Sequence, residues 1–292
     1  MNGILLVDKE QGWTSSDAVV KLKGVLHQRR VGHAGTLDPM ATGLLVVFAG
    51  RATRAVEFAE RDSKRYLASL RLGTVTDTQD IWGTVLSHSP VHVDGEELEA
   101  VLERFRGEQE QIPPMYSAVK VGGKKLCDVA RRGGEVERKP RTITIHELKL
   151  LGREGEDWLL EVRCSKGTYI RTLCHEIGAA LGCGGCMSAL RRTEAGGFSV
   201  EDALTIAQIQ ALADAGELEK KLLPVDSLFA AYPSCTVSAE AEKKLRCGSD
   251  FLTALPDGEY RVYGESGGFL MLGRAEDGCM HTVKSFFEVS HD

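Results

Sequence analysis

Gly32-His33-Ala34-Gly35-Thr36-Leu37-Asp38-Pro39-Met40-Ala41-Thr42-Gly43-Leu44-Leu45 sets three glycines and one proline around a single carboxylate. Glycine reaches backbone conformations that other residues avoid and lets a ligand come close to the main chain. Pro39 fixes its own φ and steers Asp38 away from the helical region. The stretch therefore reads as a rigid loop presenting one acid, followed by a buried strand, Leu44-Leu45-Val46-Val47-Phe48. From composition alone, a surface turn with a solvated aspartate is the simpler reading, because turns are rich in these residues.

Outward from the loop, Ser15-Ser16-Asp17 is expected to cap a helix with Val19, Leu22 and Leu26 on its apolar side. From Arg65 to Leu72 the chain alternates, putting Tyr66, Ala68, Leu70 and Leu72 on one face of a strand. Asp94 with Glu97 forms a capping-box pattern before a stripe of Leu98, Val101, Leu102 and Phe105. A strand is expected from Ile143 to Leu151, and another through Trp158, Leu160, Val162 and Cys164. The second runs into Lys166-Gly167-Thr168-Tyr169-Ile170-Arg171 and a helix bearing Leu173, Ile177 and Leu181. Thr205 and Gln208 open one more helix. With no regular βαβ repeat and no G-x-G-x-x-G fingerprint, the pattern predicts an α+β fold on a mixed, largely antiparallel sheet with flanking helices.

The texture changes after Tyr232-Pro233. Residues 233–292 offer one short helix after Ser238 and then short strands. Tyr260-Arg261-Val262-Tyr263 and Phe269-Leu270-Met271-Leu272 flank a glycine-rich turn. Two domains are expected, 1–232 and a small β-rich 233–292.

At 292 residues and 42% hydrophobic, the chain can bury a sizeable core. No apolar run approaches the roughly 20 residues needed to span a bilayer, and no signal-peptide pattern is evident, so a cytoplasmic protein is expected. Eight cysteines in a chain this long do not indicate a disulfide scaffold. Cys183 and Cys186 form one C-x-x-C pair with no second pair at zinc spacing, so no metal is expected. The net charge of −6 conceals an asymmetry. Residues 1–198 hold 28 basic and 26 acidic residues, whereas 199–292 hold 8 and 16. Residues 114–141 carry eight basic residues against three acids (Lys120, Lys124, Lys125, Arg131, Arg132, Arg138, Lys139 and Arg141) and contain Gly122-Gly123 and Gly133-Gly134. That segment reads as a long, mobile insertion. Its local basic charge suits phosphate contact or, equally, a solvated loop.

The wording of the opening loop closely resembles the catalytic motif of the pseudouridine synthases, in the branch that modifies the T loop of bacterial tRNA (the TruB type). Lys64-Arg65-Tyr66 followed by Leu70-Arg71-Leu72-Gly73 looks like that family's tyrosine motif. Thr76-Asp77-Thr78-Gln79-Asp80 and Ile112-Pro113-Pro114-Met115-Tyr116-Ser117-Ala118-Val119-Lys120 resemble further family segments. Cys164-Ser165-Lys166-Gly167-Thr168-Tyr169-Ile170-Arg171-Thr172-Leu173 matches the arginine motif, and Leu190-Arg191-Arg192-Thr193 a late one. The matches keep family order from about residue 2 to 230.

The resemblance implies the pseudouridine synthase fold, with 114–141 as a thumb that grips an RNA stem-loop and 233–292 as a PUA-type RNA-binding domain. It implies isomerisation of uridine 55 in the T loop of tRNA, by base flipping and an essential aspartate, Asp38. Breaking the C1′–N1 bond, turning the uracil and re-forming a bond to C5 needs no cofactor. Whether Asp38 attacks C1′, adds to the base or acts through a glycal stays open. Arg171 is expected to keep Asp38 ionised, holding it bidentately. Tyr66 is expected to stack on the uracil and help move the C5 proton. His33 is expected to stack where a base is everted, with Tyr169 and Leu190 lining the uracil pocket. Tyr169 has an alternative place, hydrogen-bonded near the Asp38–Arg171 pair. Asp80, Lys9 and Lys120 contact RNA or brace the pocket, and Lys124, Lys125, Arg131 and Arg132 meet the RNA backbone. The expected partner is the T-arm stem-loop, with a monomeric enzyme and no obligate protein partner. Two other readings are an RNA-binding protein without catalysis and a glycosidase-like enzyme on small nucleosides.

Overall fold

The computed structural model describes all residues except 118, 131, 132, 135 and 288–292; at 120, 121, 124, 125, 127 and 128 it describes the backbone alone. In chain order the strands through the first 205 residues are β1 (Gly3–Lys9), β2 (Val31–Ala34), β3 (Thr42–Ala49), β4 (Lys64–Leu72), β5 (Thr74–Thr76), β6 (Val85–His88), β7 (Gly107–Gln111), β8 (Lys120–Val121), β9 (Lys124–Lys125), β10 (Arg141–Glu154), β11 (Asp157–Cys164), β12 (Gly185–Ala195), β13 (Phe198–Ser199) and β14 (Leu204–Thr205). The helices are α1 (Ser15–Val25), α2 (Val56–Arg61), α3 (Gly95–Leu102), α4 (Leu126–Ala130), α5 (Ile170–Ala180), α6 (Ile206–Asp214) and α7 (Ala239–Arg246).

Ten strands make one sheet in the order β14-β1-β3-β12-β4-β11-β10-β7, with β13 on β12 and β2 on β3. Its pairings are antiparallel except β1 with β14 and β3 with β12, so the fold is α+β on a mixed sheet. The unbroken apolar run in β3 follows from burial on both sides. Leu45, Val47 and Ala49 pack with α1 and α6, while Leu44, Val46 and Phe48 pack on the opposite face. In β4 the alternation resolves as expected. Tyr66, Ala68, Leu70 and Leu72 are buried with Leu98 of α3 and with Leu173 and Ile177 of α5. The other face of β4 carries ion pairs, Arg65 with Glu147, Glu161 and Glu194, and Arg71 with Asp157.

The capping boxes at Asp94–Glu97 and Thr205–Gln208 are formed. In α1 the cap is Thr14 rather than the Ser15-Ser16-Asp17 run; Asp17 is its capping-box partner, and Ser15 is released to point inward. The basic insertion holds the short hairpin β8–β9 followed by α4.

A second sheet joins β15 (Ser234–Val237), β16 (Phe251–Leu252), β17 (Gly258–Gly264), β18 (Phe269–Glu276) and β19 (Cys279–Ser285) in the order β15-β17-β18-β19-β16. It shares no strand pairing with the first sheet among the described residues. It does share a core with it. Leu272 and Phe286 are buried together with Ile4, Phe48 and Phe229. The ring of Phe229 lies 5.3 Å from Phe58, 6.2 Å from Phe269 and 5.8 Å from Phe286.

One register row positions the site. Lys9 pairs with Gly43, Gly43 with Arg192, and Arg192 with Tyr66, so Lys9, Arg192 and Tyr66 project from the same face of four adjacent strands. Along the edge of β3 that faces β12, the partner changes. β2 takes Val46 to Ala49, and β12 takes Thr42 and Gly43. The Asp38 loop leaves β2 and re-enters through β3 at that change of partner.

Candidate active site

The loop around Asp38 is held at its start, middle and end. Arg192, fully buried, donates from Nε to the Leu44 carbonyl (2.7 Å) and from a terminal nitrogen to that of Gly35 (2.9 Å). The inward Ser15 hydroxyl accepts from the Leu37 amide (2.8 Å) and donates to the Leu37 carbonyl (3.1 Å). Just past Asp38, the Pro39 carbonyl accepts from the Gly12 amide (2.8 Å), and the Lys9 ammonium lies 3.5 Å away. Gly43 is required where the loop rejoins the sheet. Its φ is +96°, and a Cβ there would meet the Arg192 carbonyl oxygen at 2.3 Å.

On this platform Asp38 Oδ2 lies 2.9 Å from Nε of Arg171, in the first turn of α5. The arginine is buried and the carboxylate is partly open to solvent. The expected bidentate grip is not what forms. One terminal nitrogen donates to the Thr78 carbonyl (3.0 Å) and lies 3.7 Å from Asp80; the other donates to the Tyr116 carbonyl (2.8 Å). The fork is spent on the backbone of two other segments, leaving only Nε for Asp38. Arg171 is thereby a clamp joining three chain segments at the acid.

Tyr66 stands in the register row beside Arg192, its phenol pushed to higher pKa by burial, with Arg192 opposing. Lys64 is buried and donates to the Glu60 and Asp62 carbonyls (both 3.2 Å). Burial, with Arg192 adding repulsion, lowers its pKa. The same two causes lower that of His33, so its imidazole is held neutral around pH 7. Burial brings Lys9 down to about 8 despite the nearby charge of Asp38.

Asp38, Lys64, Tyr66, Arg171 and Arg192 line a cleft of about 960 Å³ that also takes in Thr14, Trp82, Tyr116, Tyr169, Leu190 and Lys166. Asp38, Tyr66, Arg171, Tyr169, Leu190 and Asp80 thus come together from five separate segments, Tyr169 and Arg171 sharing the start of α5. Tyr169 is the N-cap residue of α5, fixed by Gln111, which accepts from its amide (2.8 Å) and donates to its carbonyl (3.1 Å). The Tyr169 ring lies under the Arg141 guanidinium, 5.9 Å from it, at the same cleft as the acid pair. Asp80 accepts from the Thr78 hydroxyl (2.8 Å) and the Trp82 amide (3.1 Å), and burial raises its pKa.

Lys9 is fully buried and donates to the Glu10 and Trp13 carbonyls (3.0 and 2.7 Å), so it braces the loop and cannot meet an RNA phosphate. His33 is placed in β2 opposite Val47 and is not among the cleft's lining residues. Lys120, Lys124 and Lys125 sit on the β8–β9 hairpin with only their backbone described, and Arg131 and Arg132 lie outside the described residues. Sequence reading missed the structural weight of Arg192, Lys64, Ser15 and Gln111. Arg192 lay inside a quoted motif, but an Arg-Arg pair in a polar strand looks like a solvated one. No three or more His, Cys, Asp or Glu converge as a metal would require among the described residues. Cys183 and Cys186 are both buried free thiols. No helix among them is long and apolar enough to cross a membrane.

Comparison with known proteins agrees with this geometry. Residues 23–170 match the TruB family pseudouridylate synthase N-terminal domain, and 171–230 the tRNA pseudouridylate synthase B C-terminal domain. The tRNA pseudouridine synthase B of Azoarcus sp. (strain BH72) is 44% identical over 281 residues, 96% of this chain and 93% of that protein. That of Clostridium kluyveri is 40% identical over 98% of this chain and 100% of its own length. Among solved structures, a Cbf5-Nop10-Gar1 complex contains a chain 26% identical that superposes with a TM-score of 0.74 over 98% of this chain and 85% of that one. A chain of an H/ACA ribonucleoprotein bound to a substrate RNA containing 2′-deoxyuridine, 24% identical with a TM-score of 0.73, shares the fold over 98% of this chain and 86% of its own length. The chain belongs to the TruB family of pseudouridylate synthases, isomerases that make pseudouridine in tRNA.

Proposed function

We propose that this enzyme isomerises uridine 55 in the T loop of tRNA, with Asp38 as the essential carboxylate acting on a base turned out of the loop into the cleft. The observation that carries the reading is the Asp38–Arg171 contact of 2.9 Å at a partly solvent-open acid, on a loop braced by two buried cations. A uridine inside a folded stem-loop is out of reach until it is everted. The cleft holds the parts such a base requires: a carboxyl group for the ribose, an aromatic floor in Tyr66, and apolar packing from Leu190. Arg171 sets a permanent positive charge beside Asp38, because a guanidinium does not lose its proton in proteins. Tyr66 stacks on the detached uracil, its hydroxyl placed to assist at C5. No cofactor enters this scheme. The basic insertion 114–141 grips the stem through phosphate contacts, and recognition rests on the folded shape of the T arm. We assign 1–232 to catalysis and 233–292 to a PUA-like accessory domain, in a cytoplasmic monomer.

Tritium release from C5-tritiated uridine in an unmodified T-arm stem-loop tests the reading. Wild type releases tritium and Asp38→Asn does not. Turnover that survives the amide substitution would show that the carboxylate is assigned wrongly.

A further inference from the structure

The turn between β5 and β6 presents a tryptophan that the proposed chemistry does not use. Trp82 is 56% exposed, yet it lines the same cleft as Asp38 and Arg171. Its neighbours Ile81, Val85 and Leu86 are also exposed. We propose that Trp82 is a stacking platform for an unpaired base of the bound RNA, outside the pocket that takes the reacting uridine. This rests on the reading of the cleft as an RNA site.

Three observations carry it. First, the ring is mounted on a rigid support. The Trp82 amide donates to Asp80 Oδ1 (3.1 Å), the Ile81 amide to the Met187 carbonyl of β12 (2.9 Å), and the Gly83 amide to the Asp80 carbonyl (3.1 Å). A Cβ on Gly83 would fall 2.2 Å from the Thr78 hydroxyl and 2.5 Å from Asp77, so the turn is tightly closed. A pre-positioned aromatic loses little conformational freedom when it stacks. Second, the charge is wrong for a phosphate. Residues 74–88 contain Asp77 and Asp80 and no lysine or arginine. The cleft's cations, Lys64, Arg141, Lys166, Arg171 and Arg192, come from other segments. An apolar lip whose one exposed charge is the Asp77 carboxylate gives a phosphate no partner and suits the face of a base. Third, the platform is tied to the chemistry. Asp80, which holds the Trp82 amide, lies 3.7 Å from Arg171, and the carbonyl of Thr78 in the same turn is one of the arginine's anchors. A base seated on Trp82 therefore registers the RNA against the group that holds Asp38.

Stacking of one base on an aromatic side chain commonly contributes enough to change affinity by about tenfold or more. The test uses the full chain, an unmodified T-arm stem-loop, and the variants Trp82→Ala and Trp82→Phe. The other two tryptophans do not line the cleft, and Trp158 is buried. Saturating RNA is expected to quench the intrinsic fluorescence of wild type and to leave that of Trp82→Phe nearly unchanged. In tritium release, Trp82→Ala is expected to raise KM about tenfold with kcat within about twofold, and Trp82→Phe to restore KM to within about threefold. A KM for Trp82→Ala equal to wild type, or unquenched wild-type fluorescence, overturns the platform and leaves this lip to a protein contact. Failure of wild type itself to convert the stem-loop is a different result. It removes the proposed substrate and the platform with it.

Discussion

Replacing Arg171 by lysine keeps the positive charge and removes the fork, which separates two explanations of the clamp. If Arg171 acts only as a countercharge, an ammonium near Asp38 suffices. The structure argues otherwise, since only Nε faces Asp38 while the two terminal nitrogens bond the Thr78 and Tyr116 carbonyls at 3.0 and 2.8 Å. Hydrogen bonds from a charged donor contribute about 1.5–3 kcal/mol each. Lysine has one nitrogen and cannot meet two carbonyls and a carboxylate on three segments. Loss of both carbonyl bonds costs about 3–6 kcal/mol, split between stability and alignment of the acid. With about half of that falling on alignment, at about 1.4 kcal/mol per factor of ten, a kcat loss of about 10 to 10² is expected for Arg171→Lys. Single-turnover tritium release measures it, with a denaturant melt on the same variant to apportion the stability share. A variant that folds and keeps kcat within about fivefold of wild type would refute the clamp and leave charge alone as the role of Arg171.

Two further expectations concern the scaffold. Gly43→Ala combines a φ of +96° with a Cβ 2.3 Å from a backbone oxygen of β12, so it should destabilise by about 2–5 kcal/mol and lower activity through a displaced Asp38 loop; unchanged melting would contradict the register described. In alkali, opposing groups act. Burial raises the Cys164 and Cys186 thiols to about 11, so above pH 9 the unfolded chain loses these protons first and stability falls until about pH 11. Lys9, lowered to about 8, runs the other way, since between pH 8 and 10.5 the folded chain has released a proton that the unfolded chain still holds. Each contribution is of order 3 kcal/mol. Stability measured by urea titration should rise between pH 8 and 9 and decline above it. Lys9→Met should remove the compensating rise, and Cys164→Ala together with Cys186→Ala should make the fall shallower, buried Cys174 still contributing to it.

Local order was readable where one residue type has one use. Two capping boxes and the buried face of β4 follow from side-chain spacing alone. The helix start at Thr14 was displaced by one residue because Ser15 is an equally good cap by type; its inward hydrogen bonds to Leu37 belong to tertiary structure. The pairing of Asp38 with Arg171 could be expected only from resemblance, since nothing local links residues 133 positions apart. The bidentate geometry failed because the guanidinium had other partners, the carbonyls of Thr78 and Tyr116, and a carbonyl has no signature in sequence. Lys9 and Arg192 were hidden for a related reason. A buried cation and a solvated one are the same letter, and only the register row across β1, β3, β12 and β4 separates them.

The aromatic contact of Phe229 with Phe58, Phe269 and Phe286 makes the small sheet a poor candidate for exchange. A domain that meets its neighbour through a polar surface can be cut away or replaced in one recombination event. Here Leu272 and Phe286 close the underside of the same strands, β1 and β3, that carry the Asp38 loop at their other end. Any substitute inherited from another protein would have to arrive with those two apolar side chains already in register. The junction should therefore change by small matched steps on both sides, and a chimera joined after residue 232 should be recovered insoluble unless Phe229 and Phe58 are redesigned with it.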